Sequence, residues 1–101
     1  MKWQQSEVND PRVVMEAGWK PIKDYTRLDS NGGVYIFADD SEDVKYIGKA
    51  PIGRMVVEIR NSVNEAKNIS ATKVRALYTD SDPNTISLAR DLREKYNPVN
   101  N

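Results

Sequence analysis

The 101-residue chain contains neither cysteine nor histidine. Without cysteine there is no disulfide bridge and no thiolate metal site. Without histidine, histidine-ligated zinc and the most common general base are both excluded. Proton transfer near neutral pH must therefore use tyrosine, lysine, a carboxylate or metal-bound water. The absence of a disulfide framework also makes a cytoplasmic protein the expectation.

Long apolar runs are also missing from the sequence. The longest have about four residues, far fewer than the roughly 20 that cross a bilayer, and residues 1–5 lack the apolar stretch of a signal peptide. We therefore expect no membrane contact. A length of 101 residues, with 39% hydrophobic and 30% charged residues, predicts one globular domain with a single modest core.

The formal net charge is zero, but the charges are unevenly distributed. Residues 44–78 contain seven cations and two anions, whereas residues 1–43 contain five cations and nine anions. A local basic region can follow a phosphate backbone even in a neutral protein. The alternative interpretation is an ordinary solvated helix face.

Apolar periodicity and turn residues predict an α+β domain with the element order α-β-β-α-β-α. Asp10 as cap, Pro11 in the first turn and Gly18 as the stop indicate a short first helix. The next two segments are strands joined by a polar hairpin loop, and a third strand follows the middle helix. The predicted helices span residues 11–17, 52–67 and 83 to about 96, and the predicted strands span residues 34–37, 44–47 and 73–79. These strands predict a three-stranded antiparallel sheet.

Two tripeptides on the predicted hairpin carry the most specific signal. Gly33-Val34-Tyr35 begins the first strand, and Tyr46-Ile47-Gly48 ends the second. This pair, and the tail Tyr-Asn-Pro-Val-Asn-Asn at residues 96–101, resembles the GIY-YIG nuclease family, particularly the nuclease domain of excision-repair subunits. The resemblance covers about residues 32–101 and leaves residues 1–30 as an N-terminal extension with a short helix.

The resemblance implies a catalytic site for DNA phosphodiester hydrolysis with Mg²⁺ or Mn²⁺. It assigns Tyr35 and Tyr46 as the catalytic tyrosines that activate water, and Lys49 as a phosphate contact. An arginine on the following helix would stabilise phosphate charge, since a guanidinium matches phosphate geometry. Arg54 is the preferred candidate, although it lies two residues before the usual position, and Arg60 is the alternative.

The family's metal-binding glutamate has no counterpart in this sequence. The equivalent position is Ala89, so the resemblance assigns no metal ligand. Asp91 and Glu94 are two and five residues away, and such residues diverge by well over 100° around a helix, so neither replaces it cleanly. Asn101 matches the family's terminal asparagine, and we expect it to have a structural role.

Two functions follow from these residues. The first is a metal-dependent endonuclease-like protein acting on DNA. The alternative is a catalytically inactive module of the same fold, with no metal cofactor, that binds nucleic acid or a protein partner.

Overall fold

A computed structural model describes all residues, 1–101. The chain forms one four-stranded antiparallel sheet in the order β1-β4-β2-β3, with helices on both faces. No helix is both long enough and apolar enough to cross a bilayer. Two 3-10 helices occupy Gln5–Asn9 and Ile22–Arg27; the remaining elements are β1 (Met15–Pro21), β2 (Gly33–Ala38), β3 (Val44–Ala50), α1 (Met55–Asn64), β4 (Lys73–Tyr78) and α2 (Asp82–Tyr96).

The prediction of a helix over residues 11–17 is wrong, and so is the three-stranded sheet. Residues 15–21 form β1, which pairs with β4 from Met15–Tyr78 to Pro21–Lys73. The expected cap, Asp10, instead accepts hydrogen bonds from the backbone and side chain of Arg12 at 2.8–2.9 Å. A seven-residue helix has little intrinsic stability, so pairing with β4 determines the structure of this segment.

The remaining elements follow the predicted order, with different bounds for α1. This helix covers residues 55–64 rather than 52–67. Gly53 before it and Ala66 after it both have positive φ, +82° and +61°, which is incompatible with a continuous right-handed helix. The strands of the hairpin, β4 and α2 lie where the sequence places them.

The two faces of the central strand β2 pack into two different apolar clusters. Val34 and Ile36 pack towards α2, while Tyr35 and Phe37 pack towards α1. Alternate residues of a strand point to opposite faces, so one strand supports both clusters. All six residues of β2 are buried, and the protein therefore has its core on both sides of this strand.

Gly33 pairs directly with Tyr78 between β2 and β4. A Cβ at this position would be 2.2 Å from the Leu77 carbonyl oxygen and 2.8 Å from the Tyr78 Cα. Both are backbone atoms in a buried strand, so they cannot move away as a side chain could. The first motif glycine is therefore required by sheet packing.

We predict that Gly33→Ala lowers the free energy of unfolding by about 2 kcal/mol or more, the usual size of overpacking in a core. Gly18→Ala is the matched control, because a Cβ at Gly18 meets nothing within 4 Å. Urea unfolding of both variants tests this. Equal stability of the two variants would contradict the packing argument.

Candidate functional site

The ring of Tyr35 crosses the neighbouring strand at Gly48. These two residues are directly paired between β2 and β3. A Cβ at Gly48 would lie 2.1 Å from Tyr35 Cζ and 2.4 Å from its hydroxyl oxygen. Any other residue at this position would displace the tyrosine, so the two motifs depend on each other sterically.

The hydroxyl of Tyr35 is held by α1. It lies 2.5 Å from Ser62 Oγ and donates to the Glu58 carbonyl oxygen at 3.3 Å. The residue is only 3% exposed, and this burial raises the pKa of its phenol above the ordinary value. Tyr35 therefore remains neutral near pH 7 and serves as a fixed hydrogen-bonding group.

Tyr46 is the more exposed of the two motif tyrosines. Its ring centroid lies 6.1 Å from that of Tyr35 and 5.7 Å from that of Phe37. The side chain is half-buried, on the α1 face of the edge strand β3. Of the pair, Tyr46 is the one that a substrate approaching this edge can reach.

A cleft of about 290 Å³ lies at the end of the sheet where Gly33 pairs with Ala50. One cation and two carboxylates line it, so its walls carry a net negative charge. Asp82 is the first residue of α2, and its carboxylate accepts a hydrogen bond from the Ile52 N–H at 3.1 Å. The lining residues are Lys49, Pro51, Glu58, Asp82, Thr85 and Ile86.

The two candidate arginines lie on different sides of α1. Arg54 precedes Glu58 by one turn, and its Nε is 3.8 Å from the Glu58 carboxylate. Arg60 is displaced from Glu58 by about 200° around the helix, and its Nε donates to the Tyr25 hydroxyl at 3.1 Å. Arg54 therefore lies beside the cleft residue Glu58, and Arg60 points towards the second 3-10 helix.

Ala89 is fully buried, on the face of α2 that packs against the sheet. It follows the cleft residue Thr85 by one helical turn. Asp91 does not replace a missing carboxylate here, because its side chain is paired with Arg12 at 2.9 Å and with Arg90 at 3.2 Å. No three acidic side chains converge in the chain. The residues around Ala89 therefore do not fit a divalent cation.

The C-terminal tail covers the free edge of β3. Asn101 accepts from the Ile47 N–H at 2.9 Å and donates to the Ile47 carbonyl at 2.8 Å. Arg93 donates to the same carbonyl at 3.0 Å, and the Asn100 N–H donates to the Lys45 carbonyl at 2.9 Å. These bonds satisfy backbone groups that an edge strand otherwise exposes. We predict that Asn101 has its structural role through its two hydrogen bonds to the Ile47 backbone.

The structure thus places Tyr35 and Tyr46 on the α1 face of the sheet, and Lys49 at the cleft, which Arg54 adjoins through Glu58. Sequence analysis did not identify Glu58, Ser62 or Asp82 as part of this site. The four-residue spacing from Arg54 to Glu58 to Ser62 was the available signal, since it puts all three on one stripe of α1.

No protein-family model matches the chain, and no curated protein matches its sequence. Solved structures do match. The GIY-YIG N-terminal endonuclease domain of UvrC from Thermotoga maritima, bound to its catalytic magnesium, is 25% identical, with a TM-score of 0.67 over 78% of this chain and 92% of that one. A point mutant of that domain bound to its catalytic divalent cation has a TM-score of 0.66, 25% identity and coverage of 78% and 91%. The chain therefore has the GIY-YIG fold, with four strands in its sheet.

We predict that the free energy of unfolding falls as the pH rises above about 10, where tyrosines of the unfolded chain ionise. Burial raises the pKa of Tyr35, and that of Tyr78 to about 12, so the folded state keeps protons that the unfolded state releases. The contribution of these tyrosines to the free energy of unfolding is complete below their pKa in the unfolded chain. It is lost as the pH rises towards their higher pKa in the folded state.

Tyr35→Phe should make this decline shallower, because one of the three tyrosines with a raised pKa, Tyr35, Tyr78 and Tyr96, no longer titrates. Urea unfolding at about pH 9 and about pH 11 measures the effect, on either side of the ordinary tyrosine pKa. An equally steep decline in the variant would show that the Tyr35 phenol does not contribute.

Proposed function

We propose that this chain is an endonuclease-like module of the GIY-YIG fold that binds DNA phosphodiesters at the β3 edge without cleaving them. The supporting observation is that Lys49 lines the cleft and Arg54 contacts the cleft residue Glu58, with Tyr46 on the same strand as Lys49, in a fold whose solved neighbours are endonuclease domains.

Lys49 and Arg54 are the phosphate contacts of this proposal. Both side chains are exposed, and Arg54 presents a guanidinium that matches phosphate oxygens in pairs. The Arg54–Glu58 contact of 3.8 Å is long and half exposed to solvent, so a phosphate can compete for the guanidinium at little cost. Tyr46 lies on the same edge strand as Lys49 and donates its hydroxyl to the bound backbone.

The absence of cleavage follows from the residue at position 89. Magnesium is held in proteins through one or two carboxylates, and the family position for that ligand is Ala89. Asp91 is held by two arginines. Without a carboxylate at this position, the tyrosines and the phosphate contacts remain as a binding site.

Metal-dependent hydrolysis is the second candidate. The observation that favours it is the retained tyrosine pair, with ring centroids 6.1 Å apart, beside a cleft that contains the carboxylates of Glu58 and Asp82. This candidate requires that one of these carboxylates take the role of the missing glutamate.

Cleavage of plasmid and branched DNA with magnesium or manganese distinguishes the two candidates. We expect no product from the native protein. Ala89→Glu should restore cleavage, because long helical side chains lean towards the N-terminal turn, which here contains the cleft residues Thr85 and Ile86.

Ala89→Gln is the control, because glutamine has nearly the shape of glutamate but no charge. This variant should stay inactive. Thermal unfolding of both variants verifies folding, because position 89 is fully buried. Cleavage by the native protein that Tyr46→Phe abolishes would contradict our proposal and establish the second candidate.

DNA binding itself is measured by fluorescence anisotropy over a range of salt concentrations. Lys49→Ala and Arg54→Ala should each weaken binding and reduce the slope of log affinity against log salt by about 0.9, the value for one phosphate contact on duplex DNA. Arg60→Ala should match the native protein, because Arg60 points away from the site. Salt-independent binding would indicate a protein partner instead.

A further inference from the structure

A second concave surface lies at the opposite end of the sheet. We call it the Trp19 groove; it has a volume of about 410 Å³. It is formed by the end of β1, the following 3-10 helix, the β2–β3 hairpin and the start of β4. Its lining includes Trp19, Lys20, Lys23, Asp40, Thr72 and Lys73.

The Trp19 groove has a more positive lining than the cleft. Three lysines and one aspartate line it, whereas one lysine and two carboxylates line the cleft. Lys73 lies 3.8 Å from Glu42, so its charge is partly offset. Lys20 and Lys23 form no ion pair. These two lysines are therefore the cations available to an external anion.

The acidic member of the Trp19 groove is already engaged within the protein. The Asp40 carboxylate accepts a hydrogen bond from the Thr72 hydroxyl at 2.6 Å. This bond satisfies one of its oxygens and ties the hairpin to the start of β4. Asp40 therefore opposes an incoming anion less than a free carboxylate would.

The walls of the Trp19 groove are fixed by backbone and side-chain contacts. The Ile22 N–H donates to the Thr72 carbonyl at 3.0 Å, and the Thr72 N–H donates to the Ala38 carbonyl at 2.9 Å. The Trp19 indole N–H donates to Glu42 at 3.1 Å. A ligand would thus meet a surface that is already ordered, which lowers the entropic cost of binding.

The two concave surfaces lie at opposite ends of the same strands. The cleft adjoins the end where Gly33 pairs with Ala50 and Tyr78, and the Trp19 groove adjoins the end where Ala38 and Pro21 pair with Lys73. Six strand residues separate these ends by roughly 20 Å. This span equals about six base-pair steps of duplex DNA.

We propose that the Trp19 groove is a second phosphate-binding site, in which Lys20 and Lys23 contact the DNA backbone about six base pairs from the phosphate at Lys49. This inference rests on the proposed function and extends its DNA footprint along the length of the sheet. The groove supplies positive charge that the cleft lacks.

The test is the salt dependence of DNA binding by the variant carrying both Lys20→Ala and Lys23→Ala. Removal of two phosphate contacts should weaken binding and reduce the log–log slope by about 1.8. Lys67→Ala is the matched control, because Lys67 also forms no ion pair and lines neither surface; it should behave like the native protein. Circular dichroism of each variant verifies folding.

The indole N–H signals of the two tryptophans give an independent measurement. Addition of duplex DNA should shift the signal of Trp19, which lines the groove, and leave that of Trp3, which is 7% exposed in the core, in place.

The proposal fails if the double variant keeps the slope of Lys67→Ala, and the Trp19 signal stays in place, while Lys49→Ala still weakens binding. That result would leave the proposed function intact. A native protein that does not bind DNA would overturn both.

Discussion

The passage of Tyr35 over Gly48 is the contact on which the rest of the site depends. It joins the central strand to the edge strand and then, through Ser62 and the Glu58 carbonyl, to α1. Because α1 contains Glu58 and begins directly after Arg54, the position of one buried phenol determines where the charged groups of the site lie. The glycine motifs are thus explained by packing: Gly48 leaves room for the ring, and Gly33 leaves room for β4. This arrangement would be needed whether or not the protein catalyses a reaction.

Our proposal of binding without catalysis rests on charge and burial. The phenol of Tyr35 is kept neutral by burial, and the position expected to carry the metal ligand is an apolar core residue. In our proposal, the half-buried Tyr46 and the exposed cations Lys49 and Arg54 recognise a phosphate. The cleft beside them has more carboxylates than cations. In our proposal, the long-range attraction of DNA comes from the Trp19 groove, the concave surface with the required sign.

The hairpin, β4 and α2 could be predicted from sequence because their signals are local: β-branched runs, turn residues, and a serine cap before a proline. The strand β1 could not be predicted from sequence, because residues 15–21 become a strand only by pairing with β4, some 60 residues later. The motif tyrosines were predictable from their spacing. The positions of Arg54 and Arg60 relative to the cleft were not, since they depend on where α1 begins, and Gly53 delays that start. The Trp19 groove combines four segments distant in sequence, and no single segment indicates it.

A crystal structure of the protein with duplex DNA and magnesium would test the central claim most directly. Our account predicts an intact DNA backbone at the β3 edge, with a phosphate in contact with Lys49 and Arg54 and no cation beside Ala89. A cleaved phosphodiester, with a cation held by Glu58 or Asp82 next to Tyr46, would contradict it and identify the protein as an active nuclease.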